Sequence, residues 1–588
     1  MSPLHLNRIV IPSLLLAVLM ILCVSSIREK SITYDETAHL PAGYSYWKTG
    51  NFKLNVEHPP LVKLIAAIPL LFMDLRFSTD HPSWQANDVF AFGRWFLFEA
   101  NGGKIDAVLF RSRVPVMVLS MAAGLLVWLW ARRLWGEKAA HLALLLYVLE
   151  PNIIAHSRLV TTDVPVCLFS LSTMYGLWRF LERPSPAGVA WTGCSLGLAL
   201  ATKYSGLFLL PMMIVLMWLW WGSSREFRFP SGLPALRICR GGAIRGKGLR
   251  LTACFALIVI VALAVLWASY GFEFKPLASN PEVIRRLDEV IADPTQPGWK
   301  RVISRVARSV PIPAGTYIKG FVHLANHSRT GHPAYLMGQY SKEGWWSYFP
   351  LTVLIKTPPA LLALCLLSFV FRGRGRSRHW TDEAFLLVPV GIWLIFSLPG
   401  RINIGHRHIL PIYPFLFVWA ARWMTFRPGP KRFLPVLAAV LVAWTAVSSL
   451  SVYPHFLAYF SEAVGGPPQG PKYLLDSNID WGQDIRLLGK YLRQKGWGPV
   501  YYDCFGTSPP DLYGIQTLPV GDIQARMPHP GIYAISVNRL FALHHEDKYR
   551  YAWLRAQQPL QYIGFSIYIY RIPSTALLAG ALTKEDFQ

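Results

Sequence analysis

Eleven apolar runs divide the chain and constrain its fold more than any other feature. They fall at residues 9–26, 114–130, 139–154, 164–181, 188–201, 207–221, 251–270, 349–371, 385–398, 409–423 and 434–452. A helix crosses the hydrocarbon core of a bilayer with about 20 mostly apolar residues. Runs of this kind, in a chain 53% hydrophobic and 15% charged, exclude one soluble domain. They predict a mainly α, polytopic membrane protein of about eleven transmembrane helices, a domain spanning residues 1–452. The apolar stretch 61–72 is too short to cross and predicts a helix lying at the interface.

Charge orients the runs. The 588 residues carry 58 Lys and Arg against 33 Asp and Glu, a net +25. Residues 453–588 hold 12 basic and 11 acidic residues, and 27–108 hold 8 and 9, so the excess lies elsewhere. It sits in short linkers: Arg132-Arg133, seven basic residues against one acid in 222–250, four arginines in 372–378, and Arg427, Lys431 and Arg432. Basic linkers that alternate in this way are the positive-inside pattern, not a nucleic-acid face. They place the N-terminus and those linkers inside. The loops 27–108, 155–163 and 271–348, Lys203, the loop 399–408 and the region after 452 fall together on the opposite face. The first run follows Arg8, but Cys23-Val24-Ser25-Ser26-Ile27 is a poor cleavage site, so it reads as an uncleaved span. The seven cysteines form no Cys-x-x-Cys pair and indicate neither a disulfide framework nor a zinc site.

The outer face collects the chemistry. Tyr34-Asp35-Glu36-Thr37-Ala38-His39 follows the first run, and Asn55-Val56-Glu57-His58-Pro59-Pro60-Leu61 lies in the same loop. Adjacent carboxylates at a membrane exit are costly and tend to be functional; the plainer reading is a solvated loop whose acids cap helices. Asp163, before Val164-Pro165, is a fourth acid and equally an N-cap candidate. Lys203 lies in a five-residue linker between two runs, Arg401 and Arg407 flank Asn403-Ile404-Gly405-His406, and Lys356 lies within the eighth run. The arginines are candidate phosphate ligands or interfacial anchors; Lys356 either snorkels outward or reaches the site. His406 and His408, with His39 and His58 near acids, give only a weak divalent-metal signal, and no cofactor is firmly implied. Trp345-Trp346-Ser347-Tyr348 reads as an interface belt.

Residues 453–588 predict a small extracytoplasmic α/β domain. Val500-Tyr501-Tyr502, residues 531–535 and residues 565–570 read as strands, and 485–494 as an amphipathic helix.

Taken together, Tyr34-Asp35-Glu36, Glu57-His58-Pro59-Pro60-Leu61, Thr162-Asp163, Thr202-Lys203, the block from Gly331-His332-Pro333 to Lys356-Thr357-Pro358, Asn403 to His408 and Asp476 to Asp484 resemble bacterial membrane glycosyltransferases. These are the GT-C enzymes related to dolichyl-phosphate-mannose protein mannosyltransferases, a superfamily that includes the aminoarabinose transferase acting on lipid A. The resemblance runs from residue 9 to about 484, and its most specific part is the acidic pair after the first run. It implies a hexosyl or pentosyl transferase that moves a sugar from a polyprenyl-phosphate donor to a lipid, glycan or protein acceptor outside the cytoplasmic membrane. Inversion at the anomeric carbon is part of the same implication. No β-trefoil insertion of the eukaryotic protein mannosyltransferases is present, so a protein acceptor is not specifically implied.

The residues fit that chemistry. The phosphate leaving group needs cations, and the acceptor hydroxyl needs a base worth roughly 10²–10⁴-fold. Asp35 is the expected base, with Glu36, Glu57 and Asp163 as further catalytic candidates. Lys203, Arg401, Arg407 and Lys356 are the candidates for the phosphate, with His58, His406 and His408 nearby. Two other classes fit less. A transporter predicts symmetric halves and interrupted spans, and a non-catalytic lipid-binding or assembly protein leaves the carboxylate cluster unexplained.

Overall fold

The computed structural model describes residues 3–225, 243–277, 281–370, 379–425 and 433–573. The basic linkers 372–378 and 427–432, most of 222–250, and the end of the C-terminal region lie outside the described residues.

Every apolar run is helical. Among the described residues six helices are long and apolar enough to cross a membrane, and eight qualify if two bent pairs each count once. Eleven were expected; two of the runs that fall outside the six are broken by proline. Pro151 breaks the third run into Glu137–Leu149 and Pro151–Ser157, bent by 66°. Thr357-Pro358-Pro359 breaks the eighth into Tyr348–Lys356 and Pro359–Val370, bent by 108°. Proline lacks the amide proton that an i→i−4 bond requires, and it biases the preceding residue away from the helical region.

The chain is a multi-pass membrane protein with a central and a peripheral layer. The most apolar window of Asp163–Glu182 is 94% buried, which makes it a central helix, whereas those of Arg8–Ile27 and Gly246–Ser269 are only 22% and 28% buried and present apolar side chains outward. The stretch 61–72 is one of the shorter apolar helical stretches. It folds as Leu61–Ala67 and a 3-10 turn, Ile68–Phe72, and packs on the helices Tyr34–Thr49 and Ile105–Trp135. Val62, Lys63, Ala66 and Leu70 are buried there.

The C-terminal region is α/β. The helix Ile485–Lys495 precedes the strand Val500–Asp503, which pairs in parallel with Thr517–Pro519 on one side and Gly531–Ser536 on the other. Gly531–Ser536 then pairs antiparallel with Ile567–Ile572, and Gln561–Ile563 closes the five-stranded sheet. The last predicted strand starts two residues late, because Gly564 and Phe565 turn the chain with φ of 60° and 64°. Leu488, Leu492, Val500 and Ile569 form a small core of this region. Phe456, Tyr459 and Trp481 instead pack into the core of the helical body.

Candidate active site

Tyr34 to Thr49 is a helix, so the plainer reading of a solvated loop does not hold, although Glu36 does cap this helix. Its start is fixed by a capping box: Glu36 Oε2 accepts the Thr33 amide at 2.9 Å and the Thr33 hydroxyl at 3.0 Å. The chain before it is held by the segment 481–483. Ser31 N donates to the Gln483 carbonyl at 2.9 Å and Tyr34 N to the Trp481 carbonyl at 3.0 Å.

Glu36 and Asp35 have different surroundings. Glu36 is fully buried. It also accepts Arg113 Nε at 2.8 Å, Arg113 Nη2 at 2.6 Å and the Val160 amide at 3.0 Å. Burial alone would raise its pKa; the Arg113 charge and the N–H donors overcome that and hold it below the ordinary value. One turn on, His39 Nδ1–H donates to the Val160 carbonyl at 2.8 Å. Glu36 and His39 therefore grip both polar groups of Val160, in the loop that leads to Asp163.

Asp35 stays partly open, at 19% side-chain exposure, and its Oδ2 accepts Arg407 Nη1 at 2.7 Å. The Arg407 guanidinium lies 4.1 Å from the Trp481 ring centroid. The Arg407 loop is placed from beneath: Asn478 Oδ1 accepts the His406 amide at 2.9 Å, and the Ser477 hydroxyl donates to the Ile404 carbonyl at 2.7 Å. Gly405 permits that approach, since a Cβ there would overlap the Ser477 hydroxyl.

Asp163 is buried in the first turn of its helix, where Thr162 is the N-cap residue, so it is not a cap. Its Oδ1 accepts Lys203 Nζ at 2.7 Å. Its Oδ2 accepts no hydrogen bond among the described residues, and His156 Nδ1 lies 3.9 Å away. Arg407 acts electrostatically on both Asp35 and Asp163. Two ion pairs thus share one cluster, with Asp35, Arg407, Asp163 and Lys203 drawn from four separate parts of the chain.

The other candidates divide. His58 is half-buried, edge-on to His39 with centroids 5.2 Å apart; burial lowers its pKa well below the usual histidine value, and the neighbouring His39, Lys63, Lys203 and Arg407 add to this. Nε2 of His408 is buried and unbonded among the described residues. His406 Nε2 pairs with the Tyr413 hydroxyl at 2.7 Å. Glu57 is exposed at 52%, lies 3.2 Å from His323 Nε2, and lines a cavity of about 890 Å³ with Lys53, Asn55, Lys275 and Thr316. Lys356 is buried and donates to the Leu457 and Asn478 carbonyls at 2.9 and 2.7 Å. It therefore neither snorkels nor meets the ion pairs directly. Arg401 is exposed and donates to the Arg329 carbonyl at 3.1 Å, with no bond to the cluster. Among the described residues no group of three or more His, Cys, Asp or Glu side chains is arranged to hold a metal ion.

Asp476 was not singled out as a site residue by the sequence. It has φ of 60°, accepts the Ser477 amide at 2.6 Å, and feels the charges of Arg407 and Asp35. Burial, against the lowering effect of Arg407, pushes its carboxyl up to about 7. Its only sequence signal is its place in the run Asp476–Asp484. Lys63 was also missed: it is fully buried and donates to the Asn55 carbonyl, Asn55 Oδ1 and the His58 carbonyl at 2.6, 2.9 and 2.7 Å, fixing the loop that carries Glu57.

Residues 95–238 match the family model described as dolichyl-phosphate-mannose-protein mannosyltransferase. No curated protein matches the sequence. Among solved structures, ArnT from Cupriavidus metallidurans bound to undecaprenyl phosphate is 12% identical with a TM-score of 0.45, over 95% of this chain and 97% of that one. Archaeal oligosaccharyltransferase AglB from Archaeoglobus fulgidus, in complex with an inhibitory peptide and a dolichol-phosphate, is 13% identical with a TM-score of 0.42, over 82% and 58%. The S. cerevisiae protein O-mannosyltransferase Pmt1-Pmt2 complex bound to the sugar donor is 17% identical with a TM-score of 0.29, over 46% and 34%. The family match falls on the stretch that contains Asp163 and Lys203, and over that stretch the chain resembles the dolichyl-phosphate-mannose-protein mannosyltransferases.

Proposed function

We propose that this protein transfers a sugar, with inversion, from a polyprenyl-phosphate donor to an acceptor on the outer side of the cytoplasmic membrane. The observation that carries the reading is the paired cluster of Asp35 with Arg407 and Asp163 with Lys203. Two cations and two carboxylates within one largely buried cluster, with Asp35 partly open, suit a reaction in which a phosphate departs and a hydroxyl is deprotonated. A donor phosphate competes with Asp35 for the Arg407 guanidinium, which binds phosphate in a planar fork. Once Arg407 turns to the phosphate, Asp35 is released to accept the acceptor proton. The C1–oxygen bond to phosphate breaks, the acceptor oxygen forms the new bond from the opposite face, and the phosphate leaves with the electron pair. Lys203 adds a point charge at the same depth, and Asp163 holds that ammonium. Glu36 positions the helix, and the cavity beside Glu57 admits the acceptor. Residues 453–588 form the outer domain.

The test uses purified full-length protein with polyprenyl-phosphate sugars, measuring donor binding and sugar transfer separately and reading the product anomer by NMR. Asp35→Asn is expected to bind donor and lose turnover by at least roughly 100-fold, the low end for loss of a general base. Near-normal turnover would remove Asp35 as the base and direct the search to Glu57 or Asp163.

A further inference from the structure

The helix Gly298–Ser309 is built inside out for a protein surface facing water. At about 100° per residue, Trp299, Val302, Ile303 and Val306 share an arc of about 100°, an amphipathic stripe. That stripe faces outward: Trp299 is 62% exposed, Val302 and Ile303 59%, and Val306 45%. The residue that the helix buries is Ser304, at 7%. Lys300 and Arg305 flank the stripe, one on each side, while Arg308 is paired at 2.8 Å with Asp288 of the preceding helix, Pro281–Ala292. The helix carries no acidic residue.

Its place in the chain says what covers it. The span Gly246–Ser269 ends shortly before, and the residues that follow it, Phe272 and Phe274, are exposed at 62% and 58%. The stripe thus lies in the stretch that follows a membrane boundary, on a helix that starts 29 positions after Ser269. We propose that Gly298–Ser309 lies in the headgroup layer of the bilayer, with Trp299, Val302, Ile303 and Val306 in the acyl boundary and Lys300 and Arg305 on anionic phospholipid phosphates. An exposed tryptophan among aliphatic residues, bordered by long basic side chains, is the composition of a helix at an anionic lipid surface. The inference is independent of the transferase reading.

The experiment places the full-length protein in nanodiscs of phosphatidylcholine alone, or with one third phosphatidylglycerol, and follows hydrogen exchange of the peptide covering residues 298–309. At least tenfold slower exchange is expected with the anionic lipid, and the Lys300→Glu/Arg305→Glu variant should abolish the difference. A second variant, Trp299→Ser, should speed exchange in both discs while leaving the Asp163–Glu182 helix protected, which shows that the fold survives. Equal exchange in the two lipids would overturn the proposal, and so would a difference that survives the charge reversal. Protection that rises with the number of protein copies per disc would assign the face to a second copy and overturn it too.

Discussion

Glu36→Gln separates the two neighbouring carboxylates. The substitution keeps the shape and removes one charge from a site where Glu36 accepts bonds from Thr33, Arg113 and Val160. Arg113 has a side-chain exposure of 2%, and its Nη2 also donates to the Ser31 carbonyl at 3.0 Å. Its charge would then be buried with no counterion. Breaking a buried pair from one side costs about 3–5 kcal/mol. The amide also offers an N–H where the Val160 or Thr33 amide needs an acceptor, so one donor loses its partner at about 1–3 kcal/mol. The expected outcome is a marked fall in apparent melting temperature in detergent, read by intrinsic fluorescence, with donor binding lost in proportion to unfolded protein. The depressed pKa adds a pH signature. This contribution is complete above the unfolded-state value of 4.5 and is lost as pH falls through the lower folded-state value, so wild type should lose stability in acid more steeply than Glu36→Gln. Wild-type stability in Glu36→Gln, with turnover reduced as far as in Asp35→Asn, would refute the division of labour between the two acids.

Lys203→Met should weaken donor binding at least about tenfold, and Lys203→Arg should keep part of it. Adding Asp163→Asn to Lys203→Met should recover stability but not binding, because it removes the unpaired buried carboxylate without restoring the cation; calorimetric binding of the donor checks both. Asp476, held protonated up to about 7, contributes stability below its unfolded value of 3.8 that is lost as pH rises through 7. Asp476→Asn should flatten the fall in stability between about pH 4 and 7, seen in melting curves across that range. Gly320→Ala should displace the Tyr204 ring, because the new Cβ would overlap both the Tyr204 hydroxyl and the Val56 carbonyl. The Tyr204 hydroxyl lies 3.1 Å from the Val56 carbonyl, so the loop carrying Glu57 should loosen and exchange faster in hydrogen-exchange mass spectrometry.

Much of the site was legible because its residue types are rare beside apolar runs. Asp35 and Arg407 stand out as charges beside apolar runs, although 372 positions separate them and no local pattern links them. The capping box was also readable, since Thr33-Tyr34-Asp35-Glu36 has the Ser/Thr-x-x-Glu spacing that starts a helix. The partner that buries Glu36 was not, because Arg113 looks in the sequence like an ordinary basic residue at the edge of the second run. The same holds for Lys63 and Lys356. Each is a buried ammonium saturated largely by backbone carbonyls, and only the tertiary fold brings those carbonyls to it. The bent spans mark the other limit: hydropathy sees an uninterrupted run, while Pro151 and Pro358-Pro359 change its direction.

The docking of residues 481–484 on the entrance to the Asp35 helix has a consequence for biosynthesis. Lys30 pairs with Asp484 across 454 positions, and Ser31 and Tyr34 take their backbone partners from the same late segment. At roughly 5–20 residues per second, the ribosome delivers that segment about 20–90 s after the helix it secures. During this interval the first span is made while the ammonium of Lys30 and the amides of Ser31 and Tyr34 still await their mates. The centre is thus completed by the arrival of the distal polypeptide, and a nascent chain stopped short of Trp481 would hold the Asp35 helix through Glu36 and His39 but without the bonds at Lys30, Ser31 and Tyr34.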